Sequence, residues 1–140
     1  MLTALDSCEP QIIRALEKEG WVVIAKPHNI RLDERYLYAD FKASRVTENG
    51  PTAIVVMEVK CFTNPLNDLT ELYTAIGQYR MYRSGMDSSG DDDIPLYLAL
   101  PDVAYQRFEA QPDLFKVLRE SIVKWVVVNI RQESITQWLD

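Results

Sequence analysis

Apolar and polar positions alternate with a helical period first in "EPQIIRALEKEG", where Ile12, Ile13 and Leu16, with the aliphatic stems of Lys18 and Glu19, form one stripe. Pro10 suits a first helical turn and Gly20 an end, so a helix is predicted there. "WVVIA" reads as a strand. From Tyr36 to Val46 the pattern has a period of two, with Tyr36, Tyr38 and Asp40 at alternate positions, predicting a second strand. "TENGPT" is turn chemistry, and "AIVVMEVKCF" is a third strand. In "LTELYTAIGQYRMYR" Leu69, Leu72, Tyr73, Ile76 and either Tyr79 or Arg80 return to a helical spacing, with Asp68 as a candidate N-cap. Glu71, Ala75, Gln78 and Tyr82 mark a second face of that helix. "PLYLALP" is a nearly continuous apolar run suited to a central strand. "DVAYQRFEAQPDLFKVLRES" predicts two short helices broken before Pro112, and "KWVVVNI" and "ITQWL" predict closing strands. The order implies a single α/β domain over residues 1–140: a mixed central sheet, antiparallel in its front half, flanked by helices in a sandwich. No internal repeat, linker or glycine-rich phosphate loop interrupts it.

The third strand carries two charged residues, Glu58 and Lys60, among apolar ones, although burying a charge is costly unless it is paired or coordinated. Register decides what they meet, because a shift of one residue in strand pairing reverses the shared face. A two-residue turn at Asn49 and Gly50 would pair residue 40 with 59. Pro51 disfavours it, having no N–H to close the turn. A loop with an odd number of residues pairs 40 with 58, and Asp40, Glu58 and Lys60 then share one face.

Length and composition narrow the setting. A chain of 140 residues, 47% hydrophobic, is long enough for one buried core. Its net charge of −6 argues against a free-standing, non-specific DNA binder, which relies on clustered lysine and arginine. Part of the excess lies in the loop-like "MDSSGDDDIP"; the rest of the chain is near balance and still not basic. The N-terminus lacks a signal-peptide pattern, and no apolar run approaches the roughly 20 residues that span a bilayer, so no membrane role and a cytoplasmic location are expected. Cys8 and Cys61 stand too far apart to suggest a disulfide framework or zinc site, and Cys61 reads as a small apolar strand residue. His28, next to Pro27, is expected in a loop without a role.

The clustered trio has a specific chemical capacity. Alternate residues of one strand lie about 6.5 to 7 Å apart on one face, and an opposite neighbour is about 5 Å away. Magnesium takes oxygen ligands, usually one or two carboxylates with water and substrate phosphate completing the shell. Asp40 and Glu58, with the carbonyl of Val59, are therefore candidate ligands for Mg2+ or Mn2+. Lys60 is placed to orient or deprotonate an attacking water and to stabilise charge on a phosphate. Gln78 and Tyr82, one helical turn apart, can face the same site. The competing reading is a solvent-exposed ion pair worth about 0 to 1 kcal/mol, beside a polar helix face.

The blocks "LEKEGW", "YADF", "VMEVKCF", "AIGQYRMYR" and "LYLALP", in this order and with a tryptophan near the C-terminus, resemble the cyanobacterial XisH family of fdxN element excision controlling factors. The likeness runs from about Glu9 to the end. It implies a restriction-endonuclease-like three-layer sandwich of the PD-(D/E)xK type. By position, Asp40 then matches the first acidic residue, Glu58 and Lys60 the E-x-K pair, and Gln78 with Tyr82 the Q-x-x-x-Y element of some nucleases of this fold. Ala39 stands where the name-giving motif has proline. The resemblance further implies a role in excision of a DNA element together with a small partner protein, XisI, and a separate recombinase.

Two expectations follow. One is a metal-dependent DNA endonuclease using Asp40, Glu58, Lys60, Gln78 and Tyr82. The other is a non-catalytic assembly factor that holds an XisI-like partner and DNA. A homodimer is also expected, since nucleases of the implied fold often pair and the apolar C-terminal strands can leave an edge to cover.

Overall fold

A computed structural model describes residues 8–50 and 52–140. Helix α1 spans Glu9–Lys18, with Pro10 in its first turn and Ile12, Ala15 and Leu16 buried on one side. Gly20 closes it at φ +91°, a left-handed conformation that glycine adopts without steric cost. Strands β1 (Val22–Ala25), β2 (His28–Leu32), β3 (Arg35–Ala39), β4 (Phe41–Arg45) and β5 (Ala53–Val59) follow. After a short 3-10 turn come α2 (Asp68–Ser88), β6 (Leu96–Pro101), α3 (Asp102–Glu109), α4 (Pro112–Glu120), β7 (Trp125–Asn129) and β8 (Ser134–Leu139).

Six strands form one mixed sheet in the order β1-β4-β5-β6-β7-β8. The β1, β4 and β5 pairings are antiparallel, β5 to β7 run parallel, and β8 returns antiparallel. Side chains of β5 to β7 alternate between two cores. Val55, Met57, Tyr97, Ala99, Val126 and Val128 pack toward α1. On the other face Val56, Leu96, Leu98, Leu100, Trp125 and Val127 meet residues of α2, α3 and α4. Every residue of β6 is buried, as expected for a central strand covered on both faces. Helix, sheet and helices thus make three layers. Among the described residues no helix is long and apolar enough to cross a membrane.

The predicted strand from Tyr36 to Val46 is in fact two strands, broken at Asp40. Its first half, β3, leaves the main sheet and pairs with β2 in a separate antiparallel hairpin. His28, expected in a loop, belongs to β2 and is buried. Gly85 of α2 admits this hairpin: a Cβ there would lie 2.6 Å from Ile30 Cγ2 and 2.9 Å from the Arg31 carbonyl oxygen.

Several further expectations are corrected. Asp68 is not the cap of α2, whose N-cap is Asn67; the Asp68 carboxylate instead receives both Nε and Nη2 of Arg107, at 3.0 and 2.9 Å. The buried stripe of α2 is Leu72, Ala75, Tyr79, Tyr82 and Met86, while Leu69 and Tyr73 face solvent. The third strand stops at Val59, so Cys61 lies beyond it, and Cys8 and Cys61 form a disulfide across a sequence separation of 53. Docking of α1 on the sheet brings their Cα atoms to 5.8 Å, a distance no linear pattern of two cysteines reveals.

Candidate functional site

Arg45 pairs with Ala53, so the β4–β5 connection holds residues 46–52, an odd number, and the register continues through Phe41 opposite Met57. Asp40 therefore stands opposite Glu58. Pro51, which disfavoured the alternative register, lies outside the described residues. Because Met57 faces α1, Glu58 faces α2, at the point where β5 ends and the chain bends at Asp40.

Each carboxylate holds a backbone amide of the facing segment. The Asp40 amide donates to Glu58 Oε1 at 3.1 Å, and the Val59 amide donates to Asp40 Oδ2 at 2.7 Å. Lys60 Nζ lies 3.6 Å from Glu58 Oε2. The Lys60 amide bonds the Ala99 carbonyl in the parallel seam. Val59 consequently turns its amide, and with it its carbonyl, to the opposite edge of β5, where Asp40 sits.

Glu58 is only 7% exposed. Burial, and next the neighbouring Asp40 carboxylate, push its pKa up to about 7 against the opposing pull of Lys60 and the Asp40 amide. At Glu58 the pull of Lys60 is thus outweighed by burial and by the half-buried Asp40 carboxylate beside it. The donor set suits a small hard cation: two carboxylates and a carbonyl, all oxygen, with amide bonds that fix the carboxylates' orientation. Among the described residues, no group of three or more His, Cys, Asp or Glu could hold a metal ion, so a cation here would have two acids and backbone oxygen as its protein ligands.

Two α2 residues, Tyr82 and Gln78, stand beside this centre. Tyr82 is buried, and its hydroxyl donates to the Tyr38 carbonyl at 3.1 Å, pinning the strand two residues before Asp40. Burial, then the negative charges of Glu58 and Asp40, raise its phenol pKa. Gln78 lies one turn away with its Oε1 buried and without a hydrogen-bond partner among the described residues. Gln78 and Tyr82 line a groove of about 390 Å³ with Tyr36, Leu37, Tyr38 and Met81. On the same stripe, Glu71 feels the positive charge of Lys60, although burial and Asp68 raise its pKa overall.

Sequence reasoning missed Arg107. Besides its fork on Asp68, its Nη2 donates to the Phe62 carbonyl at 2.7 Å, tying down the segment that follows Lys60. Its partners lie 39 and 45 residues away and follow no local pattern.

Comparison with known proteins places the chain. The sequence model of the XisH protein family matches residues 2–136. The structure of an XisH family protein from Nostoc punctiforme is similar at a TM-score of 0.83 and 29% identity, covering 96% of this chain and 100% of that one. That of an fdxN element excision controlling factor protein from Anabaena variabilis is similar at 0.81 and 27% identity, covering 96% and 99%. No curated protein matches significantly.

Proposed function

Because this chain belongs to the XisH family, we propose that it acts in control of DNA-element excision through metal-dependent phosphodiester hydrolysis at Asp40, Glu58 and Lys60. The observation that supports this most is the buried Glu58 carboxylate set beside that of Asp40, each oriented by a backbone amide and together offering oxygen donors at one place. Asp40, Glu58 and the Val59 carbonyl would hold Mg2+ or Mn2+. When bound, the ion lowers the pKa of a coordinated water and polarises the phosphate. Lys60 orients the attacking water and offsets negative charge as it builds on the phosphate oxygens. Water adds to phosphorus, the bond to one sugar oxygen breaks, and the strand is left with one phosphate end and one hydroxyl end. Tyr82 keeps the Asp40 bend in place through the Tyr38 carbonyl, and Gln78 offers its amide to the strand beside it.

Titration of Mn2+ into the wild type, Asp40→Asn and Glu58→Gln tests the reading without a choice of substrate. Saturable binding in the wild type that both variants lose supports it. Cleavage of single-stranded, duplex and branched DNA by wild type but not Lys60→Ala then establishes the reaction. No metal binding, with or without DNA, overturns it.

A second reading, an assembly factor that holds an XisI-like partner, is favoured by a different surface. Leu66, Leu69, Tyr73 and Val117 are 93%, 54%, 66% and 51% exposed. Leu69, Tyr73 and Val117 share an apolar groove with Leu72, Ile76 and Leu114, and the chain's net charge of −6 suits protein contacts better than DNA. Co-purification with an XisI-like protein that Tyr73→Asp abolishes supports it; unchanged co-purification counts against it.

A further inference from the structure

The β2–β3 hairpin exposes two large rings that the core does not use. Tyr36 and Tyr38 are 52% and 56% exposed, whereas Ala39 of the same strand is buried and Leu37 packs against the α2 side of the core. Across the hairpin, Arg31 pairs with Tyr36 and Asn29 with Tyr38, so these four share the outer face. The Arg31 guanidinium lies over the Tyr36 ring at 5.8 Å from its centroid. Met81, 49% exposed on α2, extends the apolar surface.

This surface adjoins the hydrolytic centre along the chain and through the Tyr82 bond to the Tyr38 carbonyl. Tyr36 and Tyr38 line the groove that includes Gln78 and Tyr82, and Tyr38 precedes Asp40 by two residues, about 6.5 to 7 Å of extended chain. Gln78 stands in the lining of that groove beside Tyr82.

We propose that Tyr36 and Tyr38, with Arg31 and the groove running to Gln78, form a stacking platform for unpaired DNA bases, so that the site takes single-stranded or locally unpaired DNA rather than continuous duplex. The proposal names the substrate class of the hydrolytic site and so rests on that reading for its purpose, though not for its binding test. Charge favours it. Duplex binding draws mainly on phosphate contacts by many lysines and arginines, and this chain has 15 of them against 21 acids. Stacking on aromatic rings adds a contribution to single-strand binding that does not draw on such an excess, because every base has a π-face. Arg31 adds a cation where the phosphate of a stacked nucleotide can meet it.

The test is fluorescence anisotropy of a labelled oligothymidine strand, and of the same strand in a duplex, with the full chain in chelator. Tighter binding of the single strand is expected, weakened about tenfold or more in Tyr36→Ala and Tyr38→Ala and retained in the two phenylalanine variants. Asp40→Asn, which removes a candidate cation ligand, should bind the strand at least as tightly as wild type. If the metal titration fails while this pattern holds, the hydrolytic reading falls and the platform stands. Equal affinity for duplex, no binding to the strand, no effect of the alanine variants, or loss in the phenylalanine variants overturns the proposal.

Discussion

Removing the charge of Glu58 is expected to stabilise the metal-free protein at alkaline pH. In the folded chain its pKa is about 7, against an ordinary value of 4.5. Between those two values the native state holds a proton that the unfolded state has lost, so stability falls as pH rises. The contribution is fully present below 4.5 and is lost as pH climbs through 7. At 1.36 kcal/mol per pH unit, the difference is about 3 kcal/mol. Glu58→Gln keeps an oxygen to accept the Asp40 amide, but turns an NH2 group toward Lys60. That ammonium, on a side chain 17% exposed, must then turn to water. A net gain of about 1–3 kcal/mol at pH 8.5 and nearly none at pH 5 is therefore expected. Urea unfolding of both proteins in chelator at pH 5, 7 and 8.5 measures it, and a gain of this size raises Tm by about 3 °C per kcal/mol. A variant that becomes less stable than wild type as pH rises would refute the reasoning, because it would mean that Lys60 and the amide more than compensate the buried charge.

Three other perturbations probe what supports the site. Cys8→Ser with Cys61→Ser, or reduction of the wild type, reopens a loop of separation 53 and should cost about 4 kcal/mol in urea unfolding; a cost under about 1 kcal/mol would deny the cross-link its structural part. Arg107→Ala leaves Asp68, 5% exposed, without its fork and frees the Phe62 carbonyl, at an expected cost of about 3 kcal/mol by the same measurement; Arg107→Lys should recover only part, since it cannot reproduce the bidentate geometry. Gly85→Ala adds a methyl 2.6 Å from Ile30 Cγ2, and the overpacking should outweigh the helix-propensity gain of about 1 kcal/mol, so thermal melting should show net destabilisation; a stabilised variant would show that the hairpin yields freely.

The meeting of Asp40 with Glu58 was legible because turn chemistry limits register, and register in a half-buried strand decides every face at once. The two short helices before and after Pro112, and the all-apolar β6, were legible for similarly local reasons. The break at Asp40 was not. Ala39 packs in the core on the α2 side while Phe41 and Ala43 pack in the core on the α1 side, yet their spacing of two runs on unbroken. Alternation records which residues share a side of the strand, and it is blind to a bend that carries that side to the other layer. In α2, apolar residues occur around much of the helix, so Leu69 and Tyr73 look as core-like as Ala75 and Tyr79 although only the latter two are buried. The Arg107 anchor and the disulfide depend on how helices dock, which no local spacing encodes.

The cross-link from Cys8 to Cys61 turns the first five strands into a covalent ring. Asp40 and Glu58 lie inside it and Lys60 is the residue before its closure. A protease that cuts the 46–52 connection would therefore sever the backbone between Asp40 and Glu58 without parting them. The nicked chain would migrate as one species until a thiol reductant released its N-terminal piece. The pairing of β4 with β5 would still hold the two acids in register.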